Sequence, residues 1–288
     1  MKAAQIKARI ISNQRLNGNY WYLEFESGII AQQAWPGQFV NIRVADTLEP
    51  LLRRPISIHG VKAPKVKIIY EIIGKGTQIL SARKPGEFLD IIGPLGNGFD
   101  TSTAYKFCAS ERDKQKPLSI NPEFVKGIDY SRPLAKSTQA KNILIAGGMG
   151  VAPLVFLAEK LRLSKPLVLI GARSKKQILC LQEFKALGCT VKLATDDGSV
   201  GLKGRVTDLL SIVLEQTKPL GLFSCGPHPM LKTVAQIAQE NKITTQLSLE
   251  EHMACGIGVC LGCVVLTKVG YKSVCKDGPV FSSEELIW

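Results

Sequence analysis

Histidine is scarce: the 288 residues hold three. No Ser-His-Asp constellation and no paired carboxylates stand out, so the chain shows no acid–base machinery of its own. His59 and His228 read as surface or packing residues. Long apolar runs are also missing. The longest uncharged one, "LIAGGMGVAPLVFLA", has 15 residues and is broken by Gly147, Gly148, Gly150 and Pro153, whereas a membrane span needs about 20 apolar residues. The start, "MKAAQIKARI", lacks the apolar core of a secretory signal. The expectation is a cytoplasmic protein without a membrane segment. The net charge of +13 invites a nucleic-acid reading, but no basic block supports it. Residues 1–101 carry about +5, residues 102–141 about +4 and the rest about +4. With no nucleic-acid motif present, a mildly basic surface suits phosphorylated cofactors or an acidic partner better.

Eight cysteines without a secretory signal argue against a disulfide framework. Cys108, Cys180, Cys189 and Cys225 are scattered and read as small buried hydrophobes. The other four are clustered. "CGIGVCLGC" spans residues 255–263, and Cys275 follows. The pattern C-x4-C-x2-C-x11-C is the spacing of a plant-type 2Fe–2S site, with ligands Cys255, Cys260, Cys263 and Cys275. Four thiolates must converge on two irons, so the loop has to turn tightly. Gly256, Gly258 and Gly262 permit unusual backbone angles and let N–H groups approach the sulfurs. A structural zinc site would usually show two C-x2-C pairs, and only one occurs; zinc or a redox disulfide is the alternative. His252 lies beside a ligand set that is already complete and reads as a bystander.

The chain divides into three rhythms. Residues 1–101 hold short aromatic and β-branched runs such as "NYWYLEFES" and "KVKIIYEII", separated by "WPGQ" and "KPGE", and predict a small antiparallel β-barrel. Residues 102–140 are polar, contain three prolines and read as an insertion or long linker. From Lys141 strand and helix alternate: "NILIAGG", "APLVFLAEKLRL", "PLVLIGAR", "KQILCLQEFKAL", "TVKLATDD", "VTDLLSIVLEQ", "LGLFSCGP" and "HPMLKTVAQIAQEN". Alternation of this kind predicts a doubly wound parallel sheet over 141–247. Residues 248–288, with the cysteines, form a small closing unit.

Two further motifs carry chemistry. "AGGMGVAPL", residues 146–154, follows a buried strand and opens a helix, where glycines let backbone approach a pyrophosphate; tight packing of helix on sheet is the alternative reading. "RRPISI", residues 53–58, places an arginine and a serine on a barrel strand. They could clamp a flavin phosphate, although an arginine on a strand is ordinary by itself.

Barrel, R-P-I-S strand, G-G-x-G-x-A-P-L turn and C-G-P-x-P-M, in that order, resemble the ferredoxin–NADP reductase superfamily. With "LLRRPISI", "GKGTQIL", "GPLGNGF", "SCGPHPML", "EEHMACGIGVCLGC" and "VCKDGPVF", the chain resembles the electron-transfer subunits of B-class dihydroorotate dehydrogenase nearly throughout, except over 102–140. The resemblance implies that the barrel binds FAD through Arg54, Pro55, Ile56, Ser57, Glu71, Ile72, Ile73, Gly76 and Thr77. It implies a nicotinamide cofactor, NAD, over Gly147, Gly148 and Gly150, with Cys225 and Gly226 near its reactive ring. It also implies an FMN-containing catalytic partner, as a heterotetramer of two of each subunit, in pyrimidine biosynthesis. The alternative is the flavin and iron–sulfur subunit of a related hydrogenase or NAD(P)H–ferredoxin transhydrogenase. Some of those relatives carry aspartate where this chain has Cys255. "GARSKK" brings Arg173, Lys175 and Lys176 after a strand, where basic groups could accept an NADP 2′-phosphate, with no acid at that strand end to favour NAD.

Overall fold

The computed structural model describes residues 3–102 and 141–288. Six strands close an antiparallel barrel: β1 (Ala4–Asn17), β2 (Tyr20–Glu26), β3 (Phe39–Arg43), β4 (Arg54–Lys62), β5 (Lys65–Glu71) and β6 (Phe88–Leu95). Their order round the barrel is β1-β2-β5-β4-β3-β6. Successive side chains point to opposite faces of a strand, and Leu23, Phe25, Ile42, Ile58 and Ile68 form a fully buried interior. Two short helices cover the barrel, α1 (Gly28–Gln33) and α2 (Lys75–Ala82). The Thr77 hydroxyl closes the start of α2, accepting from the backbone N–H of Ile73 at 3.1 Å. Apart from Ser102, the expected insertion lies outside the described residues, as does Cys108.

The second unit is a seven-stranded sheet in the order β10-β9-β8-β7-β11-β12-β15, with β15 (Val280–Ser282) at one edge. Its parallel strands are β7 (Asn142–Gly147), β8 (Leu167–Ala172), β9 (Thr190–Thr195), β10 (Leu202–Lys203), β11 (Gly221–Cys225) and β12 (Thr245–Ser248). The helices are α3 (Val151–Lys160), α4 (Leu181–Ala186), α5 (Val206–Gln216) and α6 (His228–Glu240). Order and alternation match the doubly wound expectation. Helix α3 buries every residue from Val151 to Ala158, because it is sandwiched between its own sheet and barrel strand β4. Phe156 on α3 joins the barrel's own core. The two units are thus packed through a helix that is apolar on all sides.

One expectation needs correction. "KQILCLQEFKAL" is not one helix: a single 3₁₀ turn at Lys175–Gln177 is followed by extended chain, and α4 starts only at Leu181. Cys180 holds a φ of 57°, which no right-handed helix admits. The C-terminal segment joins the second unit through one strand. Hairpin β13 (Val264–Thr267) and β14 (Gly270–Ser273) stands apart, but β15 (Val280–Ser282) pairs antiparallel with β12 at the edge of the large sheet.

Candidate functional site

The cysteine loop is a run of turns with no helix or strand, held by its own backbone. Gly256 and Gly258 have φ of 71° and 80°, so L side chains there would be strained. Gly262 has no such angle; the third left-handed position is Leu261, at 56°. The turns aim backbone N–H groups at sulfur. Ile257 and Val259 each lie 3.4 Å from Cys255 Sγ, Gly258 lies 3.0 Å from Cys275 Sγ, and Gly262 lies 3.4 Å from Cys260 Sγ. Burial opposes ionisation of Cys255, but the donors at Ile257, Cys260 and Val259 outweigh it and draw the thiol down to about 6. The thiols also meet in two pairs, Cys255 with Cys260 and Cys263 with Cys275. Two thiols for each of two irons, with N–H donors on the sulfurs, is the donor set a 2Fe–2S cluster needs. The residues fit the group.

This loop is seated on the barrel. Asn41 Nδ2 on β3 donates to the Cys255 carbonyl at 3.2 Å, and a Cβ on Gly256 would fall 2.3 Å from the same nitrogen. Asn41 is the register partner of Pro55 on β4. The cluster loop therefore lies one strand from "RPIS". On the other side, Asn97 Nδ2 donates to the carbonyls of Lys276 (3.2 Å) and Asp277 (2.9 Å), tying "GPLGNGF" to "VCKDGPVF".

The two arginines of "RRPISI" do different work. Arg53 forms an ion pair with Asp90 on β6 at 2.9 Å and donates to the Asp90 carbonyl. Burial would raise the Asp90 carboxyl, but hydrogen bonds from Arg53 and Gln5 hold it below the ordinary carboxylate range. Arg54 has no carboxylate partner among the described residues and donates to the Leu52 carbonyl. Its guanidinium lies against Gly76, where a Cβ would fall 2.2 Å from Nε. Half-buried Arg54, the start of α2 and a glycine with no room for a side chain make a basic hollow whose chemistry suits an anionic group such as a phosphate. Ser57 is half-buried on the same strand, Ile56 is buried, and Ile73 is 83% exposed. Glu71 and Ile72 are half-buried, and the buried Thr77 hydroxyl is engaged in closing α2.

Between barrel and sheet runs a cleft of about 600 Å³, lined by Tyr20 and Glu71 on one side and by Gly147, Gly148, Gly150 and Gly226 on the other. The glycines differ in role. A Cβ on Gly150 would lie 2.1 Å from the Cys225 carbonyl oxygen, and one on Gly147 would lie 2.5 Å from Met230 Sδ, so both permit close backbone packing. Gly148, with φ of 54° and nothing within 4 Å, is the one that opens to the cleft. Cys225 is buried, and burial pushes its thiol up. Sequence reasoning missed Glu250, Arg205 and Asp196, which line the same cleft. Burial raises the Glu250 carboxyl. Of the three basic groups in "GARSKK", only Arg173 reaches this cleft, and Asp196 at the end of β9 joins it there. The carboxylate absent from the strand end of "GARSKK" is supplied by the neighbouring strand. His228 is exposed and meets Trp288 edge-on at 4.9 Å, and His252 is exposed. Of the two readings of His59, surface or packing, burial agrees with the second, and its ring is hydrogen-bonded.

The profile of the iron–sulfur cluster binding domain of dihydroorotate dehydrogenase B matches residues 250–287. The electron transfer subunit of dihydroorotate dehydrogenase B (NAD(+)) from Desulforamulus reducens is 37% identical over 289 residues, covering 98% of this chain and 97% of that protein. That of Geobacillus kaustophilus is 36% identical over 285 residues, covering 96% of each. Among solved structures, a chain of the NADH-dependent reduced ferredoxin-NADP oxidoreductase, studied for flavin-based electron bifurcation, superposes with a TM-score of 0.76 at 26% identity, covering 99% of this chain and 91% of that one. A ferredoxin NADP+ reductase from Neisseria gonorrhoeae with bound FAD and NADP shares the fold at a TM-score of 0.60 and 14% identity, over 82% of this chain and 91% of that one.

Proposed function

Since the chain belongs to the family of electron-transfer subunits of NAD-dependent dihydroorotate dehydrogenase B, we propose that it relays electrons between a catalytic partner that oxidises dihydroorotate and NAD, in pyrimidine biosynthesis. The observation that carries this reading is the Asn41 contact, which sets the cysteine loop one strand from the Arg54 cradle. When bound, a flavin exchanges hydride with a nicotinamide and single electrons with an iron–sulfur cluster, so the chain needs no acid–base pair.

Its residues bind, orient and exclude water. Cys255, Cys260, Cys263 and Cys275 hold the 2Fe–2S cluster, with the loop N–H groups neutralising sulfur charge. Arg54 and Ser57 hold FAD by its phosphates, and backbone at Pro55 and Ile56 supports it. Glu71, Ile72 and Ile73 would flank the flavin, and Gly76 and Thr77 would keep the start of α2 open to it. Gly147, Gly148 and Gly150 would form the wall that holds NAD, with Gly226 and, beneath it, Cys225 toward its reactive ring. Asp196, beside Arg173 in the same cleft, would accept from the ribose of NAD. Cys255, rather than aspartate, at the first ligand position favours this family over the transhydrogenase or hydrogenase subunits.

The partner is a catalytic subunit, and we assign it FMN and a two-plus-two assembly. The cluster loop offers it a surface: Ile257, Val259 and Leu261 are 47%, 75% and 65% exposed around the exposed Cys260, and a contiguous apolar rim of this kind suits an interface. No described helix is long and apolar enough to cross a membrane, and we place the complex in the cytoplasm. The working division is a flavin barrel at 1–101, an insertion at 102–140, a nucleotide unit at 141–247 and a cluster unit at 248–288. The cofactor content of the purified chain tests the assignment. A yellow-brown protein with about one FAD, two irons and two sulfides per chain is expected; a colourless protein holding only zinc on the four cysteines overturns it.

A further inference from the structure

Away from the electron path, three residues that sequence alone leaves unrelated come together. His59 on β4, Cys180 at the start of α4 and Glu183 on α4 place their Nε2 or Nδ1, Sγ and carboxylate atoms within 4.8 Å of one another. His59 is 2% exposed, and its Nδ1 lies 3.0 Å from the Ala152 carbonyl of α3. A carbonyl only accepts, so Nδ1 carries a proton and Nε2 is the free ligand position. A ring fixed by a backbone carbonyl in this way is how metal-binding histidines are oriented. Nε2 lies 2.7 Å from Glu183 Oε2, and the Cys180 thiol is hydrogen-bonded to the same carboxylate. Cys180 takes a left-handed backbone to do so, with φ of 57°.

We propose that His59, Cys180 and Glu183 form a binding site for a zinc-class divalent cation that clamps the barrel to the nucleotide unit. Nitrogen, thiolate and carboxylate in one set suit zinc, with one position left for water. That position faces a second cleft of about 390 Å³, lined by Cys180, Glu183, Ile178, Leu181 and Val200. Binding requires the thiolate, so the ion displaces the Cys180 thiol proton, which leaves through that cleft. Lys67 also faces Glu183, and Tyr22 lies near it. Tetrahedral ligands at zinc bond lengths stand about 3.3 Å apart or more, so the His59–Glu183 contact opens on binding. The Glu183 side chain, 48% exposed, has room to move.

The test uses the full chain carrying its flavin and cluster, dialysed against micromolar zinc, washed, and analysed for zinc and by zinc-edge X-ray absorption. The expected result is about one zinc per chain with a single sulfur neighbour near 2.3 Å. Zinc retention should drop at least about ten-fold in Cys180→Ser and in Glu183→Gln, with iron content and circular dichroism unchanged. These positions are chosen because neither is as deeply buried as His59. Equal zinc in wild type and both variants overturns the site, as does zinc with four sulfur neighbours, which marks the cluster cysteines instead. Absence of retained zinc in the wild type also overturns it.

Discussion

Replacing Gly76 with alanine separates the flavin cradle from the stability of the fold. The added Cβ would fall 2.2 Å from Arg54 Nε and 2.5 Å from Cζ and Nη2, so the guanidinium must swing away. The backbone raises no objection, because Gly76 lacks a positive φ and sits in the first turn of α2. Alanine there gains helix propensity, at most about 1 kcal/mol. Only the end of a flexible side chain has to shift, so melting temperature should hold or rise slightly. FAD affinity should fall. A charge-assisted hydrogen bond to a phosphate contributes about 1.5–3 kcal/mol, so losing one weakens binding by about ten- to hundred-fold. Flavin fluorescence titration of the apo chain reads this directly. Arg54→Ala should give a similar loss, and the double variant should lose little more, since both changes remove one interaction. FAD affinity unchanged in Gly76→Ala would refute the placement of Arg54 on the flavin phosphates.

Four further outcomes follow. Serine at any one of Cys255, Cys260, Cys263 or Cys275 should remove or destabilise the cluster, read as iron and sulfide content; wild-type content in all four variants contradicts the ligand set. Gly150→Ala puts a Cβ 2.1 Å from backbone oxygen that cannot swing aside, so KM for NADH should rise at least about ten-fold, measured with an artificial acceptor; an unchanged KM argues against a nucleotide site at this turn. NADH should outperform NADPH, and Asp196→Asn should narrow the gap; a wild-type preference for NADPH would overturn the NAD assignment. Asp90, whose folded carboxyl is held low by Arg53, contributes stability present above the unfolded value of about 3.9 and lost as pH falls through its folded value. Asp90→Asn should therefore cost about 1–2 kcal/mol at neutral pH and converge with wild type in strong acid, which thermal melts across pH will show.

The barrel and the doubly wound sheet are legible because their signals are local. The β-branched and aromatic run "KVKIIYEII" and a buried strand running into glycine in "NILIAGG" each declare their element without tertiary information. The cluster ligands are legible for a different reason, since three of the four sit within nine residues. What escapes the sequence is set by distant contacts. Asn41 and Cys255 are 214 residues apart, and Asn41 reads as an ordinary strand residue until the loop lands on it. Asp196 joins Arg173 only because β8 and β9 are neighbours. The helix expected across Lys176–Leu187 fails because Cys180 adopts a left-handed backbone while its thiol engages Glu183, a polar demand that apolar periodicity does not register. Edge strand β15 has only three residues, too few to show a period.

The central claim is that this chain is a conduit whose electrons come from outside it, and orotate formation tests that directly. The purified chain, loaded with FAD and cluster, is mixed with dihydroorotate and NAD, and orotate absorbance is followed with and without the FMN-bearing catalytic subunit. The account predicts NADH oxidation with an artificial acceptor by the chain alone, no orotate from it alone, and NAD-linked orotate formation once the partner is added. Robust orotate formation without the partner, or no NAD-linked turnover with it, would contradict the account.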